Sequence, residues 1–239
     1  ATNFYDYSSN SGVSTQQNNL YVLDMSLKIV GKLENLGTGE NFHAARFMGN
    51  RCYLVTFMKT DPLFVIDLSQ PTNPKVLGEL KIPGYSDYLH PYDETHLIGL
   101  GKDAVESITG NFAWYQGLKL SLFDVGNVNA PKEIAQYIIG DRGTDSPALY
   151  DPKAFLFDSS RGLLVIPVNL YLITNTQTST ETKPGLTTPT TILPMPGQAS
   201  APSGRIGTGS DSASTYGQFV WQGAYIFNVN LNTGISMKG

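Results

Sequence analysis

The residues able to do chemistry in this chain are few, and several of them crowd into one segment. "GDRGTDSPALYD" (140–151) holds Asp141, Arg142, Asp145, Ser146 and Asp151 within twelve positions. Carboxylates this close can serve a calcium ion through carboxylate and carbonyl oxygens, and Asp141, Asp145 and Asp151 are the candidate metal ligands. The segment lacks the D-x-D-x-D-G spacing of a dedicated calcium loop. A structural pair between Arg142 and a carboxylate, tying adjacent parts of the fold together, is the preferred reading. The three histidines are His43, His90 and His96. "YLHPYDETH" sets two of them six residues apart around Asp93, where a turn could gather them on a metal. That spacing matches no compact zinc pattern, so a turn-stabilising role is expected.

For nucleophilic catalysis, Ser86 or Ser146 would have to act with His90 and Asp141, but the chain contains no G-x-S-x-G elbow. The glycines of "GLGKD" and "GTGSD" lack the G-x-x-x-x-G-K-[ST] loop that cradles phosphates. Aromatic side chains are the more suggestive group. Trp114 and Tyr115 lie in one irregular stretch, and Tyr216, Phe219 and Trp221 flank the end of another. Such rings suit stacking on sugars or on a partner protein, and Trp114, Tyr115, Tyr216 and Trp221 are the candidate contact residues. The alternating rings of "FVWQGAYIF" (219–227) also suit simple packing between sheets, which is the expected role of Phe219, Trp221 and Tyr225.

Composition narrows the possibilities further. The 239 residues are 41% hydrophobic and 11% aromatic, as in ordered globular proteins, but only 15% charged. A soluble domain ordinarily carries about 25% charged residues, so Ser, Thr, Asn and Gln must supply much of the surface. A net charge of −4 and a pI near 5.3 argue against a nucleic-acid partner, whose phosphates are met by stripes of Lys and Arg. The single cysteine, Cys52, sits in the apolar run "RCYLVTF" and reads as a buried structural thiol. No stretch reaches 18 apolar residues, and "ATNFYDYSSNSG" has neither a charged head nor an apolar segment, so neither a membrane span nor a signal peptide is expected within this stretch. A mature or excised chain would already have shed such a signal.

The elements that must position these residues are strands. Apolar residues recur with a period of two in short runs such as "LYVLD", "FHAARFMG", "RCYLVTF", "PLFVIDL" and "KVLGEL". Val, Ile, Phe and Tyr dominate the runs, as they do on half-buried pleated surfaces. "MGNR" and "DSSRG" supply hairpin turns. The runs themselves repeat: an apolar-x-apolar-Asp/Asn phrase closes at Asp24, Asp67, Asp124 and Asn228. The first interval, 67 − 24 = 43 residues, suits a four-stranded propeller blade, for which about 40–45 residues is a familiar period.

Two insertions stretch the later intervals. One is "KDAVESITGNFAWYQG" (102–117); the other is a Thr/Ser/Pro/Gly-rich stretch, 174–215, whose composition reads as disordered or as an O-glycosylated stalk. Strands are expected at 42–48, 51–57, 62–68 and 75–81, and again at 86–91, 96–101, 118–125 and 132–139. Both insertions then fall between second and third strands, and so on one face of a radial array. The repeated Asp is expected to bond backbone N–H groups of the following turn rather than to bind metal or react.

The run "RFMGNRCYLVTFMKTDPLFVIDLSQPTNPKVLGELKIPGYSDYLHPYDETHLIGLGKD", with "GLKLSLFDV", "IGDRGTDSPALYDPKAFLF" and "FVWQGAYIFNV", resembles secreted archaeal and bacterial proteins carrying a C-terminal β-propeller distantly related to WD-repeat propellers. The resemblance covers nearly all of 19–239 outside the long insertion, and "IPGYSDYLHPYD" and "GDRGTDS" are its most specific motifs. It implies an all-β fold and an extracellular or cell-surface location, and no particular activity. Members of that family look longer, with more blades. The chain is therefore expected to be one propeller segment of about four four-stranded blades (1–239, with 174–215 inserted), whose exposed edges are covered by further blades or a neighbouring chain.

The expected function is binding, with a protein partner or self-association through loops on one face and a glycan as a further possible ligand. No cofactor is implied beyond a possible Ca2+. The alternative is a secreted hydrolase, or a calcium-dependent enzyme acting on carbohydrate or peptide at the axial channel. An enzyme should gather carboxylates and histidine around that channel; a binding module should present aromatic and hydroxyl-rich insertions on its face.

Overall fold

The computed structural model describes residues 1–8, 13–58, 61–107, 112–173 and 212–239. The described residues form fifteen strands: β1 (Thr2–Ser8), β2 (Val13–Leu23), β3 (Ile29–Leu36), β4 (Asn41–Met48), β5 (Arg51–Phe57), β6 (Asp61–Asp67), β7 (Lys75–Ile82), β8 (Tyr85–Pro91), β9 (His96–Glu106), β10 (Ala113–Asp124), β11 (Lys132–Ile139), β12 (Leu156–Asp158), β13 (Leu163–Leu172), β14 (Gln218–Asn230) and β15 (Gly234–Met237). Helix is confined to single 3-10 turns at Pro147–Leu149, Pro152–Ala154 and Ser212–Ser214. Strands β4–β7, β8–β11 and β12–β15 each make a four-stranded antiparallel meander, and β1–β3 a three-stranded one. The all-β architecture read from the period-two runs is the architecture found, and the two complete inner blades match their expected strands to within a few residues.

The turns form for local reasons. Gly49 takes φ +55 between β4 and β5, and Gly162 φ +60 between β12 and β13, where a Cβ would be strained. Before the last strand of each blade a short acceptor caps the turn: Asp24 accepts from the Ser26 and Lys28 N–H groups, Asp67 from Ser69, and Asp124 from Gly126. In the last blade the acceptor is Asn230, bonded by the Asn232 and Thr233 N–H groups, and not the expected Asn228. Asn228 lies inside the ladder opposite Leu163 and Ser236. "IFNVN" satisfies the phrase twice, and the longer β14 places the turn at the second match.

Neither face of a blade can stay dry alone, and the core lies accordingly between blades. Leu20, Cys52, Leu54 and Ile66 fill the first junction. Tyr53, Val55, Val65, Leu97 and Phe123 fill the second, and Leu100, Leu120, Leu164, Ile166 and Phe227 the third. Cys52 is fully buried, as expected of a structural thiol.

Strand direction alternates, so the connections sort onto two faces. The capped turns between third and fourth strands lie on one. The β9–β10 and β13–β14 connections, which carry the two insertions, lie on the other. The links between successive blades, including the 140–155 segment, share that second face. The first insertion extends β9 and β10 as a long hairpin pairing Glu106 with Ala113 and Val105 with Trp114. The second insertion, from 174 through 211, lies outside the described residues, and only its base can be placed.

Candidate functional site

On the face carrying the insertions, three elements converge at the junction of the third and fourth blades. They are the β9–β10 hairpin, the 140–155 link and the base of the β13–β14 insertion. The Arg142 guanidinium sits between two rings, 4.5 Å from the centroid of Trp114 and 4.4 Å from that of Tyr216. Arg142 also donates to the Ala213 carbonyl at 3.4 Å, and its own carbonyl accepts from the Gly217 N–H at 2.7 Å. Gln116 reaches the same Ala213 carbonyl at 3.0 Å. A planar cation with two aromatic faces against it thus ties the exit of the second insertion to the base of the first.

Beside this clamp lies a basin of about 360 Å³, lined by Lys102, Tyr115, Arg142, Asp145, Tyr171 and Tyr216, with Gly143 and Asn169. Lys102 donates to Asp145 Oδ1 at 3.0 Å and also to the Thr144 carbonyl. The Tyr150 hydroxyl donates to the same Asp145 oxygen at 3.4 Å. Gly143, at φ +108, lets the link lie against the Tyr171 ring, which an added Cβ would meet at 3.1 Å. Tyr115 packs edge-on to Tyr85, 5.3 Å between centroids, and stays 42% exposed, while Tyr216 is 66% exposed. Burial and the neighbouring Asp87 carboxylate push the Tyr115 hydroxyl above its ordinary range, so it is a neutral donor and acceptor.

The structure brings Trp114, Tyr115 and Tyr216 to one face and sets Trp221 apart. Trp221 lies over Gly223 and stacks edge-on to Tyr225 at 5.3 Å, against the core of the last blade. Its neighbour two residues away lacks a side chain, and the ring takes that space. Phe219 packs on Tyr171 at 5.6 Å. The candidate calcium ligands have separate partners. Asp141 accepts from the Ile173 N–H, Asp145 pairs with Lys102, and Asp151 caps the 3-10 turn at Lys153. Among the described residues no three His, Cys, Asp or Glu side chains converge to hold a metal. The ion pair that joins blades uses Lys102 and Asp145 in place of Arg142, which is committed to the rings. Ser146 donates to the Pro167 carbonyl and caps the turn at Ala148, so it is no nucleophile in waiting.

The histidines divide. His96 pairs with Asp93 at 2.9 Å within its turn, as expected. His90 instead crosses to the next blade and stacks on Phe155 at 5.0 Å, and burial lowers its pKa. His43 enters an arrangement that sequence spacing could not show. Its Nδ1 lies 2.8 Å from Asp87 Oδ1 across the two innermost strands β4 and β8, and its ring packs 3.9 Å from that of Tyr85. His43 and Asp87 border a cavity of about 340 Å³ with Arg46 and Tyr88. The His43 Nε2 is buried without a partner among the described residues.

Four radial antiparallel blades with cores at their junctions define a β-propeller, and the comparisons agree. The chain belongs to the β-propeller domain family, whose model matches residues 1–239. It is similar to an uncharacterized protein of Methanocaldococcus jannaschii, 48% identical over 150 residues that make up 63% of this chain and 22% of that one. It is also similar to an uncharacterized protein of Archaeoglobus fulgidus, 44% identical over 155 residues, 65% of this chain and 23% of that one. The chain thus matches less than a quarter of the length of these archaeal relatives. No solved structure matches it. Among the described residues no helix is long and apolar enough to cross a membrane.

Proposed function

We propose that this propeller works by binding, at a cell surface or outside the cell, and that its contact surface is the face bearing the two insertions. The observation that carries the reading is the Trp114–Arg142–Tyr216 clamp. It holds the bases of both insertions as one surface on a rigid scaffold, which is where a binding face is ordinarily built. The exposed rings and the pairing of Lys102 with Asp145 leave a surface of aromatics and neutral polar groups. Such a surface fits a protein partner or a second copy of the chain. The experiment is deletion of 176–212 with a short linker, followed by light scattering and unfolding. The fold is expected to persist while association is lost; an unfolded product would place the insertion in the core.

One observation favours an enzyme as second reading: the His43–Asp87 pair beside the inner cavity, an oriented base in form. Among the described residues no hydroxyl or thiol hydrogen-bonds to His43, and its free nitrogen is enclosed. Hydrolysis of a polysaccharide or peptide that disappears in His43→Gln, with folding unchanged, would establish this reading over the first.

A further inference from the structure

We propose that the basin between Tyr115 and Tyr216 is a saccharide subsite, taking one or two neutral pyranose units of a glycan chain. The inference rests on the reading of this face as the contact surface and names one ligand that surface recognises. A pyranose ring has two kinds of surface: a face of C–H groups that packs on aromatic rings, and a rim of hydroxyls that both donate and accept. The basin offers both. Tyr115 and Tyr216 are large rings left substantially exposed on one face, and Tyr171 lies beneath Gly143.

Around the rings stand polar groups with unused capacity. Asp145 Oδ1 takes the bonds from Lys102 and Tyr150, and Oδ2 has no protein partner among the described residues. The backbone N–H and carbonyl of Asn169 are consumed by Asp145, at 2.8 and 3.0 Å, while its side-chain amide makes no hydrogen bond among the described residues. Lys102 is 14% exposed and bonded to Asp145 and the Thr144 carbonyl, which leaves one of three ammonium donors. The carboxylate and the ammonium hold each other in place and so are preorganised, which leaves only the amide to be ordered on binding.

The alternatives fit less well. An extended peptide would add to an unpaired strand edge, but here the backbone of Asn169 is already paired to Asp145. A strongly anionic ligand would seek uncompensated cations, yet Lys102 is neutralised by Asp145 and Arg142 presents its faces to rings. The volume, about 360 Å³, is at the lower end for small-ligand sites, which suits one or two rings and no more.

The test uses the full chain and defined oligosaccharides: neutral hexose and N-acetylhexosamine di- to tetrasaccharides, with uronate-containing oligosaccharides and short peptides as comparators. Calorimetry and tryptophan emission give the readout. A neutral saccharide is expected to bind, and Tyr216→Ala and Asn169→Ala are each expected to weaken it about tenfold, the first with the melting temperature lowered by a few degrees but the fold kept, the second with the melting temperature retained. Absence of binding to every neutral saccharide at millimolar concentration overturns the proposal, as does binding of uronates or peptides alone, or affinity unchanged in both variants. The 176–212 deletion separates this outcome from the broader reading. Association lost on deletion, with no saccharide bound by the intact chain, would sink the saccharide and leave the contact face. Saccharide binding with association indifferent to the deletion would do the reverse.

Discussion

Replacing Arg142 tests whether the insertion face is held by its clamp. In Arg142→Ala two cation–π contacts at 4.5 and 4.4 Å disappear, together with one long hydrogen bond to Ala213. Each cation–π contact contributes about 0.5–1 kcal/mol at an exposed site and more when partly desolvated. Arg142 Nε is buried without a partner among the described residues, so its removal also relieves a desolvation cost. The net expectation is a loss of about 1.5 kcal/mol in unfolding free energy measured by urea titration. A double-mutant cycle with Tyr216→Ala should give a coupling of about 1 kcal/mol. Arg142→Lys keeps the charge but not the plane, and should recover less than half of the loss. Hydrogen exchange at Gly217, whose N–H bonds the Arg142 carbonyl, should quicken in step. A coupling indistinguishable from zero, or full recovery by Lys, would refute the clamp and leave the two insertions independent.

Two further outcomes follow from burial. Burial, and secondarily Arg46, depresses the His90 pKa below its ordinary 6.5, so the unfolded chain takes the proton more readily than the folded one. The stability contributed by neutral His90 is complete above pH 6.5 and declines as pH falls through the folded value; urea midpoints between pH 7.5 and 5 should show this slope, flattened in His90→Gln. Cys52 is fully buried, and desolvation pushes its thiol up to about 12. A thiol reagent at neutral pH should therefore leave the folded protein unmodified and titrate one thiol in denaturant.

Much of the scaffold was legible because its signals are local. Period-two runs and Gly/Asn turns gave the strands of the second and third blades, and the alternation of strand direction put both insertions on one face. Asn228 was mistaken for Asn230 because the closing phrase occurs twice and only the length of the β13–β14 ladder decides between them. Trp221 stands among the candidate contact rings by proximity in sequence, while the packing role expected of it in "FVWQGAYIF" is the one that the space over Gly223 provides. The contacts at the two cavities span large separations: Lys102 meets Asp145 across 43 positions at the basin, and His43 meets Asp87 across 44 at the inner cavity. Nothing in residue type or spacing marks such pairs, since they arise from blade-to-blade packing. A signal for the clamp did exist: an arginine in a turn-rich segment, in a chain with aromatics at both insertion bases.

The β9–β10 hairpin has a consequence for engineering. Its arms pair with each other as far as Ser107 and Phe112, whose backbone groups close the ladder at 2.9 Å. Residues added beyond Ser107 and Phe112 leave the β9–β10 register intact, whereas residues added at the turns opened by Asp24, Asp67 and Asp124 would break their capping bonds. Grafted sequence is therefore expected to be tolerated on the face that carries the β9–β10 connection and not at the capped turns of the opposite face.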